Sequence, residues 1–377
     1  MAYEILVSDS KVIDLESGRS AFSDIEATLR TTEAREPNEL IEEAAGVDAM
    51  IVDASTQVTT SVLRSLDSLQ VVGRSGIGVD NVDLETAQEL GIPVVNVPDY
   101  CLDEVSTHAL GMLLSCARKL PQLDAAVKRG EWDWSPARPI CRLQGQTVGI
   151  VGFGKIGRNF AQKLRGLEVD VLVYDPYLSA RDLSGFDVTR ASFDQLLADS
   201  DFVSIHTPLT EETRYLFAAE AFETMPDHAV LINTARGPVV DEEALVAALK
   251  AGDLGGVGLD VRDPEPPEND PIADFENVVL SPTPGFTRRT RVVNSPGASA
   301  RTSRAFSRAK SHETRSTRRT AGNSPLGTCV QPANSRSFSS PGRLAVTCSQ
   351  RTRCHRAWLS WGISPSSRGE GYAPLSP

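Results

Sequence analysis

From Tyr3 to Pro282, short runs of consecutive apolar residues alternate with stretches whose apolar positions recur every three or four residues. Runs at residues 3–8, 49–52 and 70–72 predict strands, and the patterns between them at 39–45 and 60–66 predict helices. A long apolar-periodic helix is expected over about 103–120, followed by an irregular stretch holding Trp132, Trp134, Pro136 and Pro139. A second strand–helix series begins at Thr147 and continues through Leu280. Short apolar strands separated by helices imply parallel sheets with crossover connections, so the expected fold class is α/β with two doubly wound domains. One spans residues 1–101 and the second, inserted after it, spans 102–282, with the long helix as the joint. At Thr283 this grammar stops. Residues 283–377 are rich in Arg, Ser, Thr, Pro and Gly and show no sustained period, which predicts a disordered tail of low complexity.

Charge sharpens that boundary. The chain of 377 residues has a formal net charge of -12, but from Thr283 onward there are 16 Lys and Arg against two acids, Glu313 and Glu370. Of the 38 basic and 50 acidic residues in all, this leaves 22 and 48 before Thr283, a body near -26 and a tail near +14. An acidic body with only six lysines fits a salt-adapted protein and equally an ordinary acidic enzyme, and it argues against nucleic acid as the body's partner. The N-terminus has no basic region followed by an apolar run, and no apolar stretch approaches the roughly 20 residues of a membrane helix, so a soluble, cytoplasmic protein is expected. Cys101, Cys116 and Cys141 lack paired spacing and are expected as buried reduced thiols. No second ligand pair follows Cys348, Cys354 and His355, so no metal is expected.

The motif with the clearest chemistry is Gly152-Phe153-Gly154-Lys155-Ile156-Gly157, set between the apolar strand Thr147–Val151 and an amphipathic helix expected over 158–167. Glycines at this spacing allow a tight turn and close backbone approach, so a pyrophosphate can rest on the helix N-terminus of a Rossmann-like unit. The next apolar run, 169–174, ends in Asp175, where a carboxylate can accept both ribose hydroxyls and repel a 2′-phosphate. This predicts NAD rather than NADP as cofactor.

Five segments stand in order along the chain: Gly73-Arg74-Ser75-Gly76-Ile77-Gly78-Val79-Asp80-Asn81-Val82-Asp83, the nucleotide motif, His206-Thr207-Pro208-Leu209-Thr210-Glu211-Glu212-Thr213, Ile232-Asn233-Thr234-Ala235-Arg236-Gly237, and Gly258-Leu259-Asp260-Val261 with Glu265-Pro266. Together they resemble the D-isomer-specific 2-hydroxyacid dehydrogenases, in particular the branch with phosphoglycerate dehydrogenases and C-terminal-binding-protein-like members. The resemblance covers about residues 3–282. It implies a flavodoxin-like substrate domain at 1–101, an NAD-binding Rossmann domain at 102–282 and hydride exchange between a D-2-hydroxy acid and NAD. Arg236 is then expected to grip the substrate carboxylate, and Glu265 to orient a catalytic histidine. Arg74, Ser75 and the backbone N–H groups of Gly76 and Ile77 are expected to face the substrate, with Arg74 either reading a distal phosphate or pairing with a neighbour. Gly152, Gly154, Lys155, Ile156, Gly157, Asp175, His206, Thr207, Pro208, Thr213, Thr234, Ala235, Arg236 and Asp260 are expected around the cofactor. A homodimer is expected through the nucleotide domain, with residues 120–146 crossing to the partner and Trp132 and Trp134 either anchoring that interface or filling the core.

One residue breaks the pattern. The resemblance places the acid–base histidine after Ser281-Pro282, but Thr283 stands there, and a threonine cannot exchange protons near neutral pH. His108 and the tail histidines stand at unrelated motif positions. A single lost base explains both the threonine and the tail. Threonine codons begin AC, so restoring one C makes CAC, a histidine codon, and the restored frame permits an acidic, family-like stretch over residues 306–317. The leading expectation is an NAD-linked dehydrogenase with impaired catalysis. A non-catalytic, NAD-sensing protein of corepressor type, or a basic tail acting as a nucleic-acid arm, are the alternatives.

Overall fold

In the computed structural model the described residues are 2–8, 22 and 26–283, all within one compact unit. The disorder expected for the tail falls, Thr283 apart, outside them, as do the tail cysteines and histidines.

The first sheet contains β1 (Tyr3–Val7), β2 (Ala27–Thr31), β3 (Ala49–Val52), β4 (Val71–Arg74) and β5 (Val94–Val95). Their order is β2-β1-β3-β4-β5 and every pairing is parallel. Helices α1 (Pro37–Glu43), α2 (Thr60–Ser65) and α3 (Leu84–Glu89) connect them. All four residues of β3 and of β4 are buried, as expected of strands covered on both faces by crossover helices. The apolar run of β3 and the Val-Val-Gly start of β4 suit that burial. Asp83 caps α3 by accepting the Thr86 N–H at 3.0 Å, which sharpens the exit from the loop after β4.

The helix expected over 103–120 is α4 (Leu102–Ala117), and a second helix, α5 (Leu120–Lys128), occupies the start of the stretch expected to be irregular. Lys119 takes a left-handed φ of 54°, and Pro121 in the first turn of α5 has no N–H to continue the earlier ladder. Only Ala126 of α5 is buried, so its apolar pattern is weak and does not mark it as a helix.

The second sheet is built from β6 (Thr147–Val151), β7 (Asp170–Tyr174), β8 (Thr189–Arg190), β9 (Phe202–Ile205), β10 (Val230–Asn233), β11 (Gly256–Leu259) and β12 (Val278–Leu280). It runs β12-β11-β10-β9-β6-β7-β8, again all parallel. Helices α6 (Lys155–Leu164), α7 (Phe193–Asp199), α8 (Ala219–Thr224) and α9 (Glu242–Ala251) cover it. Helix α6 starts three residues earlier than its apolar pattern suggests, because the glycine turn releases directly into helix and the end at 165–167 tightens to a 3-10 turn. Phe153, Phe160 and Leu164 are fully buried beneath it with α4. Full burial of side chains of this size is worth roughly 1.5–3 kcal/mol each, so this layer anchors the nucleotide turn. The chain reverses direction of strand addition between β6 and β9. That topological switch point is where open parallel sheets leave a crevice at their carboxyl ends.

Candidate functional site

The crevice is shaped by close backbone approach. Gly152 has φ +93°, and a Cβ there would lie 2.7 Å from the His206 carbonyl carbon. The N–H groups of Gly152 and His206 pair across the switch point with Tyr174 O (2.8 Å) and Val151 O (2.7 Å). A Cβ on Gly157 would sit 2.3 Å from Gly152 O, so α6 can pack against the turn only with glycine there. Gly154 has open space where its Cβ would be, and no side chain caps the α6 N-terminus beside it. Asp175, half-buried at the end of β7, accepts Phe153 N–H at 3.0 Å and Tyr177 N–H at 3.0 Å, which fixes its carboxylate beside the turn while further lone pairs remain. An open pocket next to it is lined by Tyr174, Asp175, Arg190, Ala191, Ser192 and Gln195.

Across the crevice, the His206 ring packs on Phe160 (centroids 5.0 Å) and meets Ser204 Oγ at 3.0 Å. Burial pushes this imidazole from its usual 6.5 down to about 3, so it is neutral throughout the physiological range. Thr213 Oγ1 donates to Pro208 O at 2.6 Å and accepts the Thr210 N–H at 2.8 Å, so it folds the loop that carries Thr207 and Pro208. Ala235 is held by its N–H to Asn233 Oδ1 at 3.0 Å, and Ile156 lies half-buried in the first turn of α6. Lys155 forms an ion pair with Asp99, from the loop after β5.

These residues fit a dinucleotide. Among the described residues, the hydroxyls of Thr207 and Thr234 are buried without a hydrogen-bond partner, a costly state that a polar ligand in the crevice would relieve. The space at Gly154 and the uncapped helix end suit a pyrophosphate.

On the other side of the crevice, two guanidinium groups converge. Arg236, just past β10, points its Nε and Nη2 at Asp80 of the loop after β4, with contacts of 3.0, 3.1 and 3.0 Å. Arg74, at the end of β4, is 8% exposed and its Nε has no hydrogen-bond partner. Burial and the positive charge of Arg236 lower its pKa, while Asp80 and Asp53 oppose that shift. Asp80 is held below the usual carboxylate range by its hydrogen bond and attraction to Arg236, against the cost of its own burial. Two of the residues expected here behave otherwise. Ser75 turns inward, its hydroxyl donating to Val52 O at 3.1 Å, because its strand-end position faces β3. The Gly76 N–H is engaged by Arg74 O at 2.9 Å within the tight turn, while Ile77 is anchored through its carbonyl by Asn96 Nδ2 at 2.7 Å.

The third wall is made by the ends of β11 and β12. Asp260 is 3% exposed, and its Oδ1 accepts from Ser281 Oγ at 2.6 Å and lies 3.1 Å from His108 Nε2. His108, on α4, also meets Ser281 Oγ at 2.9 Å. Its sequence position had suggested no relation to the other motifs, yet α4 packs on β11 and β12 and brings it into this cluster. Glu265 accepts the Arg262 N–H at 2.7 Å, and burial, reinforced by Asp260, pushes its carboxyl up. Arg262 braces that loop through forked contacts to Glu242 and Asp270 at 2.7–2.9 Å. Thr283 donates its hydroxyl to Asp260 O at 2.7 Å and adopts φ +58°. A left-handed backbone is unusual for a β-branched residue, whereas histidine is enriched there. Asp80, His108 and Arg262 were not anticipated as site residues. Asp80 alone had a visible signal, an acid in a glycine-rich loop six residues after a buried arginine.

Comparison with known proteins places this geometry. Residues 110–284 match the family described as D-isomer specific 2-hydroxyacid dehydrogenase, NAD binding domain. The chain is similar to a D-3-phosphoglycerate dehydrogenase of Archaeoglobus fulgidus, 38% identical over 271 residues, covering 72% of this chain and 51% of that protein. It is also similar to a hydroxypyruvate reductase of Thermotoga maritima, 36% identical over 255 residues, covering 67% of this chain and 82% of that one. Among solved structures, the TT0316 protein of Thermus thermophilus superposes with a TM-score of 0.68 at 31% identity, covering 80% of this chain and 93% of that chain. The chain spans about half the length of the curated phosphoglycerate dehydrogenases it matches.

Proposed function

The chain belongs to the D-isomer-specific 2-hydroxyacid dehydrogenase family, and from that premise we propose that it binds NAD and interconverts a D-2-hydroxy acid with its 2-oxo acid by hydride transfer, slowly because Thr283 stands where the acid–base histidine is expected. The observation that carries this reading is the pairing of an open, uncapped α6 N-terminus beside Asp175 with two arginines on the opposite wall. When bound, NAD would accept the hydride leaving C2 of the hydroxy acid, and NADH would return it to C2 of the 2-oxo acid. Gly152, Gly154 and Gly157 give its pyrophosphate room, Asp175 takes the ribose hydroxyls, and Thr207, Thr234 and Asp260 offer polar partners. Arg236 grips the substrate carboxylate through its planar fork and polarises the C2 oxygen. Glu265, its carboxyl pushed above the usual carboxylate range by burial, stands next to a position that holds no imidazole for it to orient. Loss of general acid–base catalysis costs roughly 10²–10⁴-fold in rate.

The unpartnered Nε of buried Arg74 supports a second anionic group on the substrate, as in 3-phosphoglycerate. NADH and NADPH titrations, followed by reduction of hydroxypyruvate and of its 3-phosphate, test the reading. NADH is expected to bind more tightly than NADPH, with slow turnover of at least one acid; failure to bind NADH overturns the proposal.

Trp132 is 91% exposed and Trp134 55% exposed, which removes the core alternative and supports a homodimer through residues 120–146. Arg138 stacks 4.1 Å over Trp134 and leaves Trp132 as the outermost anchor. Sedimentation of W132S is expected to give monomer.

The left-handed backbone at Thr283 and the abrupt change of charge beyond it support a frame change at that codon. Nucleotides read one base earlier from Thr283 are expected to encode histidine followed by an acidic helical sequence; any other reading overturns this.

A further inference from the structure

Arg236 carries five N–H donors in a planar fork. Its side edge, Nε and Nη2, is filled by Asp80, and its Nη1 donates backward to Ala235 O at 2.7 Å. One N–H remains on each of Nη1 and Nη2, and these two form the end-on edge, a pair of parallel donors matched to a carboxylate. Asp80 comes from the first sheet and Arg236 from the second, so the pair also ties the orientation of the fork to the closure of one domain on the other.

The loop that carries Asp80 is cut to admit this arrangement. A Cβ on Gly78 would fall 1.8 Å from Arg236 Nη2, and a Cβ on Gly76 would fall 1.6 Å from Arg74 Nη1. These two glycines make way for guanidinium groups rather than for unusual backbone angles. The result is a cradle in which Arg74 and Arg236 converge beside Asp80.

Resting on the dehydrogenase reading above, we propose that Asp80 is a positioning residue for substrate: it clamps the side edge of Arg236 so that the end-on edge is presented to the substrate carboxylate. Asp80 occupies the side edge and leaves the end-on donors without a bond among the described residues.

The test uses the full chain with NADH bound and oxamate, a monoanionic 2-oxo acid analogue, followed by quenching of NADH fluorescence. D80N is isosteric but offers one acceptor in place of a charged pair, and it is expected to weaken oxamate roughly tenfold or more with NADH affinity within twofold. In an R236K background, which lacks the fork, D80N is expected to add less than twofold. G78A, which pushes the guanidinium off Asp80 without touching either charge, is expected to reproduce the loss. Oxamate binding within twofold of the parent, or tighter, in D80N overturns the proposal and makes Asp80 a plug. Equal losses of oxamate and NADH also overturn it and make Asp80 merely structural. A parent chain that binds no NADH overturns the dehydrogenase reading itself, a distinct result.

Discussion

Two walls of the crevice differ in completeness. On the anion wall, Arg74, Asp80 and Arg236 form a braced cradle in which glycines give way to guanidinium groups and every charge has a physical reason to be where it is. On the proton wall, Asp260, Ser281 and His108 form one cluster and Glu265 lies on the neighbouring loop, but the proposed acid–base position holds Thr283, whose hydroxyl is tied to the Asp260 carbonyl. The difference teaches that binding and proton transfer are separable in this fold. On the proposed reading, the strands deliver the anchors through their own carboxyl ends, whereas the acid–base group would depend on a single residue beyond β12.

Disrupting the nucleotide turn affects both walls and has the largest expected effect. G152A introduces a Cβ 2.7 Å from the His206 carbonyl carbon at a φ of +93°, and NADH binding is expected to fall below detection with a clear drop in melting temperature. Damage to the anion wall alone is more selective. R236K retains charge but loses the fork, and roughly 10–100-fold weaker oxamate binding is expected with NADH unchanged, read by the same fluorescence titration. The proton wall gives a conditional result. E265Q is expected to alter turnover by less than about threefold in the present chain, where no histidine depends on it, and by about tenfold or more once histidine is installed at 283. Equal effects in both backgrounds would contradict the separation of the walls.

The smallest expected effect is a pH dependence. His206 has its pKa depressed in the folded state from 6.5 to about 3, so the unfolded chain takes up its proton first as pH falls. The stability from this residue is fully present above about 6.5, declines as pH falls below that and is gone below about 3. Urea midpoints across that window are expected to flatten in H206N, whereas an unchanged acid slope would show that the ring is not desolvated.

Much of the α/β architecture could be read from the alternation of apolar runs and helical periods, because buried parallel strands leave uninterrupted apolar segments such as Ala49–Val52 and Val230–Asn233. The nucleotide turn was equally legible, since glycine spacing is a direct record of backbone clearance. Other features were not. The break between α4 and α5 depends on the backbone angle of Lys119, which no apolar pattern records. The inward turn of Ser75 depends on which face of β4 meets β3. Contacts such as Asp80 with Arg236 and His108 with Asp260 join residues 156 and 152 positions apart, and only the packing of sheets and helices brings them together.

On the proposed reading, the described part of this chain keeps its binding apparatus and lacks its proton-transfer group. Turnover of hydroxypyruvate with NADH, compared between the chain and T283H at matched NADH and oxamate affinity, tests it most directly. An increase of roughly 10²–10⁴-fold in T283H is expected, with ligand affinities unchanged. Equal turnover in the two proteins would contradict the claim, and would place proton transfer on a group other than residue 283.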